Sequence, residues 1–596
     1  SEMCIRDRAF SLAKERRMNP VQIASEIAQR LAPLVDEVPI VNRIEVKGPY
    51  INIFLDRGEM AKLVINTIME RGTEYGRTTE YAGRRALVEF PAVNPSKPWH
   101  IGHARNAVLG DTLCNVLERV GFEVIRLDYI NDLGLQIAQL TWKLMKENLT
   151  EERDEKYDHF LGRMYVEVQN AFDNDPEVEK QVRAIAKELE APGSEAARFS
   201  EKMVTKCVKA QCQTAYRLGI YHDYQVWESS IAHSGLLERA KTLMLECPSV
   251  FEMKEGEKAG CIVAKLDDLE DFKGMKDPYK VLFRSDGTRT YTGADLALQM
   301  WKHRIVEDPF WYVEFETQPN GQPVYRTALS GEKHNLGSVD MVFNVIAAAQ
   351  AHPQRLIYNI LELLGYEREA ENSHHIAYEF VGLEDTEFSG RKGTWIGYTV
   401  DDVLDRAEEI AKEEVEKRNP GAGEEFKQRV AEKVAVGALR YFMLSASPDR
   451  KITFRWEDAL DFEGDAGPYL QYSLARAQRI LERAKEEGAE GEKSDLTLLT
   501  SKHEFALVKA LSRFPFEILE VVRGLRKELR GTAFNSNRLT TYAFDLGTLF
   551  SKFYDNCPVL KAEGPLRTAR IALVRAFKET MRNCLELLGI PPVDRM

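Results

Sequence analysis

Apolar positions change their period twice between Arg85 and Gln136, and the changes predict a strand, a helix and a second strand. Ala86 to Phe90 is a short apolar run with the length of a buried strand. From Gly102 onward Ala104, Val108, Leu109, Leu113, Val116, Leu117 and Val120 recur at three- and four-residue steps, the spacing of one helix face. Gly121 ends that helix, and Phe122 to Tyr129 supplies the second strand. Pro91, Pro95 and Pro98 prevent ladder or helix from running on, so the residues around them form a stiff loop. Strand, crossover helix and strand make a βαβ unit, whose anion site lies where loop meets helix N-terminus. His100, Gly102 and His103 occupy that point.

On either side the pattern changes more than once. Ala9 to Leu31 is expected to be helical with a break at Asn19-Pro20, and Ile23, Ile27 and Leu31 form its apolar face. Ser1 to Arg8 does not continue into that helical pattern and is expected to be a foreign leader. Val46 to Leu55 is expected to form a strand pair around a turn. Lys143 to Met244 is charged and mostly helical in pattern. Val281 to Tyr291 has the pattern of a hairpin turned at Asp286-Gly287, leading into a helix that opens at Tyr291. Val339 to Ile346 is β-branched enough for another strand, with Gln350 and His352 beyond its end. Phe388 to Gly393 is a glycine-flanked basic loop, and Val400 to Arg418 and Val434 to Ser447 are helical. After Gly464, apolar positions at helical spacing through Ile480, Phe505, Phe516, Leu546 and Leu585 predict a helix bundle.

The 596 residues are enough for several domains. No run of about 18 apolar residues occurs, so no membrane span is expected. No secretory signal is visible, and the eight cysteines include no C-x-x-C pair, which fits reduced thiols in a cytoplasmic protein. The formal charge of −13 speaks against an RNA-binding chain until it is divided. Gln471 to Met596 holds 21 Lys and Arg against 16 Asp and Glu, a balance of +5, while the remainder at 60 against 78 carries −18. A basic C-terminal region on an acidic body suits a polyanion contact there.

Two histidines three apart can be core residues or metal ligands, but no nearby Cys or acidic cluster completes a ligand set, so no metal site is expected. At a helix N-terminus they can instead donate hydrogen bonds to a triphosphate, while Gly102 lets the backbone come close. This H-I-G-H sequence resembles the signature of class I aminoacyl-tRNA synthetases. E-F-P-A-V-N-P-S-K-P before it, A-R-N after it and Y-I-N-D-x-G-x-Q beyond resemble arginyl-tRNA synthetases, of the archaeal kind. G-A-L-R-Y-F-M-L, Y-L-Q-Y-S-L-A-R-A-Q-R-I, F-S-K-F-Y-D and L-L-G-I-P-P-V-D-R-M extend the likeness from Ala9 to Met596.

The resemblance implies an α/β fold with a Rossmann-like catalytic domain. Residues 1–80 would be a shortened tRNA-binding α+β domain and 81–400 the catalytic domain, with a helical insertion at about 140–280. Residues 401–462 would be a helical connector and 463–596 an all-helical anticodon-binding domain. It implies arginine, its tRNA and ATP with Mg²⁺ as reactants, no DNA or membrane partner, and a monomer. Glu89, Asn94, Tyr291, Asp295 and Gln350 match the family's arginine pocket, and His100, Gly102, His103 and Lys97 its ATP site. The second signature departs from K-M-S-K-S: Glu387 and Gly390 stand where lysines would be, leaving Ser389, Arg391 and Lys392 as catalytic candidates, with Lys97 expected to supply the displaced charge. Gln471, Tyr472, Arg476, Tyr554 and Met596 are the tRNA-binding candidates. Tyr472 fits helix packing equally well. Two rivals are weighed: a cysteinyl enzyme, which would need zinc-ligand cysteines absent here, and a non-catalytic tRNA-binding relative.

Overall fold

The βαβ unit predicted around His100 forms the middle of a seven-stranded sheet, to which the rest of the chain is attached. The computed structural model describes residues 2–5, 12, 15–149, 155–267, 269, 272–273, 277–382, 396–459, 461, 464–489 and 494–595. At the front, β1 (Glu2–Ile5), β2 (Val41–Lys47) and β3 (Tyr50–Leu55) make an antiparallel sheet in the order β1-β3-β2. Helix α1 (Pro20–Leu31) covers it, burying Ile23 and Ala24 beside Ile51. Asn19 Oδ1 accepts from Val21 N at 2.9 Å, and Pro20 takes the first helical position, where its missing N–H costs nothing. Helix α2 (Arg57–Arg71) leaves this small sheet; its Met60, Val64, Ile65 and Ile68 enter the main core against the C-terminal helices.

Next come β4 (Arg85–Glu89), α3 (Ile101–Arg119) and β5 (Glu123–Ile130). The charged stretch beyond folds as α4 (Leu135–Glu147), α5 (Tyr157–Asn174), α6 (Pro176–Leu189) and α7 (Glu195–Arg217). It is not helical throughout, because Tyr224–Trp227 is strand β6, paired in parallel with β5. Then follow α8 (Glu228–His233), α9 (Leu236–Leu245), β7 (Val250–Glu252), β8 (Ile262–Lys265), β9 (Tyr279–Phe283) and α10 (Tyr291–Lys302). Strands β10 (Trp311–Thr317), β11 (Pro323–Ala328) and β12 (Met341–Ala347), helices α11 (Ala351–Leu363) and α12 (Glu367–Glu371), and β13 (Ser373–Tyr378) complete the sheet.

Its order is β10-β11-β6-β5-β4-β12-β13, parallel except for the β10–β11 pair. The chain leaves β4 toward β5 on one side while β12 lies on the other, so a crevice opens at the carboxyl ends of these strands. Register puts Asn344 of β12 beside Glu89 of β4. Every residue of α3 from Ala104 to Cys114 is buried. Gly110 is required there, since a Cβ would lie 2.3 Å from the Phe90 ring.

The Asp286-Gly287 turn forms, with Arg284 N donating to Thr288 O at 2.8 Å, but the return strand is reduced to one bridge, Phe283 to Arg289. Thr290 N still donates to Leu282 O at 3.0 Å, but the Thr290 hydroxyl accepts from Gly293 N and caps α10, so the chain turns into helix there. A Cβ at Gly293 would meet Leu282 O at 2.3 Å, so the helix starts tight against β9.

Strand β14 (Val381–Gly382), helices α13 (Val400–Arg418) and α14 (Glu424–Ser445), strand β15 (Ile452–Thr453) and α15 (Trp456–Ala459) lead to the last domain. That domain contains α16 (Gly467–Glu486), α17 (Lys502–Arg523), α18 (Asn537–Asn556) and α19 (Gly564–Leu587). The predicted bundle also carries a small hairpin, β16 (Lys527–Glu528) with β17 (Gly531–Thr532), seated on β13. One apolar cluster runs from α3 through α14 to α19, so helical domain and sheet share a core. Arg440, fully buried, ties them: it pairs with Asp111 and donates to Leu588 O at 2.8 Å and Leu218 O at 2.9 Å. Such a buried charge is stable only because every arm of its fork is matched. Among the described residues, no helix is long and apolar enough to cross a membrane.

Candidate functional site

His100 sits at the N-cap of α3, where extended backbone precedes the helix. Its Nδ1 accepts from Gly102 N at 3.1 Å, and His103 Nδ1 accepts from His100 N at 3.2 Å, so the two imidazoles act as a capping box. The rings stack with centroids 3.6 Å apart. Burial, then Lys97, pushes the His100 pKa down to about 3, and burial, His100 and Lys97 hold His103 well below its ordinary value. Both rings are therefore neutral at pH 7. With Nδ1 accepting in each, the single proton lies on Nε2, which makes each ring a hydrogen-bond donor at the positive end of a helix. Burial also lowers the Lys97 ammonium to about 8. Gln211 of α7 fixes the loop by donating to Lys97 O at 2.8 Å and Asn94 O at 3.2 Å.

Beside this cationic end the crevice is acidic. Glu89 ends β4, and Lys302 Nζ stands 2.8 Å from its Oε2. Asp295, in the first turns of α10, has solvent-accessible atoms but lies deep in the crevice with many protein atoms around its carboxyl. Burial raises its pKa to about 6; Lys302 opposes the rise, and Glu89 and Glu228 add to it. Glu228, first residue of α8, pairs with Arg289 at 3.2 Å. Tyr129 marks the centre: burial, then Glu228, Asp295, Glu89 and Asp132, raise its hydroxyl well above the ordinary value. Tyr291 is 87% exposed and shares with Asn94 a cavity of about 380 Å³, also lined by Gln136, Gln139, Tyr165 and Asp173. Asn94 Nδ2 donates to Gln136 Oε1 at 3.3 Å.

The fold thus gathers Glu89 and Asp295 around one tyrosine, and Asn94 and Tyr291 around one cavity. Gln350 is exposed at the start of α11 and is not among that cavity's lining residues. Glu228, Tyr129 and Lys302 join the site without any motif to mark them; Glu228 follows a four-residue strand inside a helical stretch, too short a signal to mark a strand end. Ser389, Arg391 and Lys392 lie outside the described residues. The chain just after them is joined to the histidine loop: Val400 N donates to Trp99 O at 2.8 Å and Ile101 N to Tyr398 O at 3.2 Å.

Residues 64–314 and 320–456 match the family model described as tRNA synthetases class I (R), catalytic domain. Residues 7–55 match the arginyl tRNA synthetase N terminal domain, and 470–596 the DALR anticodon binding domain. The chain belongs to the arginyl-tRNA synthetase family. It is 42% identical to the arginine–tRNA ligase of Pyrococcus furiosus, over 99% of this chain and 93% of that relative. The Thermus thermophilus ligase is 36% identical, over 98% and 93%. The solved Thermus thermophilus arginyl-tRNA synthetase superposes with a TM-score of 0.84 at 34% identity, covering 100% of this chain and 96% of that one.

In this synthetase fold the RNA-facing candidates lie on α16 and α18. Arg476 lies over the Tyr554 ring at 4.1 Å and 3.6 Å from Asp555. Tyr472, one turn earlier, is 36% exposed with Arg418 5.3 Å above its ring. Gln471 is a correction: it is fully buried, its amide donating to Lys433 O and Pro591 O, so it joins α14 to the C-terminal tail and presents nothing to solvent. Met596 lies outside the described residues. Among the described residues Asp158, His159 and Asp401 cluster closely enough to suggest a metal. Lys156 and Arg217 already hold Asp401 at 2.7 and 3.0 Å, and that donor set does not suit a dication.

Proposed function

We propose that the crevice at the ends of β4, β5 and β12 activates arginine with ATP and then transfers it to the terminal ribose 2′-hydroxyl of its tRNA. The observation that carries the reading is the meeting of two opposite fields: neutral donor histidines at a helix N-terminus, next to carboxylates grouped around Tyr129. Free arginine brings two cations, an ammonium and a planar guanidinium, and one carboxylate. Glu89, Glu228 and Asp295 suit the cations, and charge-assisted bonds to a fork-shaped donor favour guanidinium over other side chains. The substrate carboxylate is then left toward the ATP end.

There the carboxylate oxygen attacks the α-phosphorus in line, the bond to the bridging oxygen breaks, and pyrophosphate leaves with its electron pair. No side chain becomes covalently attached. His100 and His103, as Nε2 donors, and Lys97, as a cation, stabilise charge growing on the phosphate oxygens. Mg²⁺ would arrive on the nucleotide and screen its phosphates. In the second step the ribose hydroxyl oxygen attacks the arginyl carbonyl, the bond from that carbon to the phosphate oxygen breaks, and AMP departs with the electron pair while the hydroxyl proton passes to its phosphate. The basic α16–α18 face would hold the tRNA, and the protein would act as a cytoplasmic monomer. Arginine-dependent exchange of labelled pyrophosphate into ATP, measured with and without arginine tRNA, tests the reading. Exchange with lysine or cysteine as efficient as with arginine would refute it.

A further inference from the structure

Lys302 is the last residue of α10, and its side chain is 4% exposed. Its Nζ donates to Asn344 Oδ1 at 2.8 Å and pairs as an ion with Glu89, 2.8 Å from Oε2. Asn344 is itself fixed, its Nδ2 donating to Gln299 Oε1 at 3.1 Å and Tyr358 OH at 3.0 Å. The ammonium is therefore anchored through Asn344 of β12, which α10 and α11 hold in turn. Glu89 Oε2 is sealed from solvent, and the ammonium approaches it off the axis of a good hydrogen bond. What remains exposed of Glu89, 9% of its side chain, belongs to the other part of the carboxylate arm.

We propose that Lys302 is a positioning residue for substrate arginine: it pins one oxygen of Glu89 against β12 and turns the other toward the crevice to receive a cationic group of the amino acid. This rests on the reading of Glu89 as a substrate-binding acid. A buried carboxylate without Lys302 would swing toward other donors and would lose its directed bond to the substrate. Because Lys302 touches neither ATP nor the reacting atoms, its effect is confined to one substrate.

The test measures pyrophosphate exchange in the full chain for Lys302→Gln, Glu89→Gln and the double variant, varying arginine and ATP separately. Lys302→Gln should raise the arginine KM about tenfold, the size of one charge-assisted bond, and leave the ATP KM unmoved. The double variant should match Glu89→Gln to within about twofold, because a residue acting only through Glu89 has nothing left to act on. If Lys302→Gln yields no folded protein, the double variant, which removes both charges together, carries the test. An arginine KM for Lys302→Gln equal to the unmodified protein's, a parallel rise in both KM values, or a further tenfold loss in the double variant overturns the role of Lys302. An unchanged arginine KM in Glu89→Gln alone overturns the reading of Glu89, and the proposal with it.

Discussion

Lys97→Ala should slow adenylate formation by about 100-fold or more while leaving tRNA binding nearly intact. Burial lowers the Lys97 ammonium to about 8, and its charge reaches both signature histidines. At pH 7 a group with that pKa is still about nine-tenths protonated, so the cation is present when pyrophosphate leaves. At about 4 Å from a developing phosphate charge, in a medium of effective dielectric near 20, its Coulomb term is about 4 kcal/mol. Removing a donor of this kind typically costs about 3 kcal/mol, or over two decades in rate. A lowered lysine pKa also fixes the sign of the pH dependence: exchange should fall as pH rises through 8, as the ammonium loses its proton. Lys97→Arg should abolish that alkaline limb, since guanidinium keeps its charge. The assay is single-turnover adenylate formation from pH 6.5 to about 9.5, a span bracketing that pKa, with tRNA affinity measured in parallel. A loss no larger than that of Lys187→Ala, an exposed lysine on α6, would refute the reasoning.

Asp295→Ala should raise the arginine KM by about 2 kcal/mol, some thirtyfold. Because the Asp295 pKa is raised to about 6 and the carboxylate must be ionised to bind a cation, arginine affinity should fall as pH drops through 6; a KM flat from pH 7 to about 5 would contradict this. Asp401→Asn should destabilise the chain by about 2–3 kcal/mol, a buried-pair loss discounted for the partial exposure of Lys156 and Arg217, read as a shifted urea midpoint. Burial works against a proton on His159, but its hydrogen bond to Asp401 wins and raises the pKa. Stability from that bond should be full below about 6.5 and fade as pH rises through the folded value; a pH-independent difference between Asp401→Asn and the unmodified chain would remove the His159 contribution. Arg476→Ala should reduce the slope of log affinity for tRNA against log salt by about one, and an unchanged slope would place the phosphate contact elsewhere.

The strand–helix–strand unit was legible because each element had its own period and a proline or glycine at its ends. Strand β6 was not, since four residues between a long helix and a short one carry no period to detect, and its pairing with β5 and β11 is set by distant chain. The return strand after Asp286-Gly287 failed for a local reason. Thr290 keeps its backbone bond to Leu282 O, yet its hydroxyl also caps α10, so the helix starts where the return strand would have continued.

The candidate site divides along the same line. His100 and His103 are close in sequence, and the bonds that set their tautomers run between neighbours, so their meeting at one helix N-terminus could be read from spacing. Glu89, Glu228 and Asp295 come from three strand or helix ends far apart in the chain, and nothing local says that they face one tyrosine. Resemblance could supply two of them; only the strand order explains why they meet. The same order explains why Lys302 escaped notice. A lysine at the C-terminal end of an amphipathic helix normally reads as a solvated charge favourable to the helix dipole. Here the end of α10 meets β12, where Lys302 bonds Asn344, so its last residue arrives beneath the sheet end instead of in water, and its ion-pair partner among the described residues is Glu89. A cation kept there at the cost of its hydration argues that the position of the acid, more than the stability of the fold, is what the pair maintains.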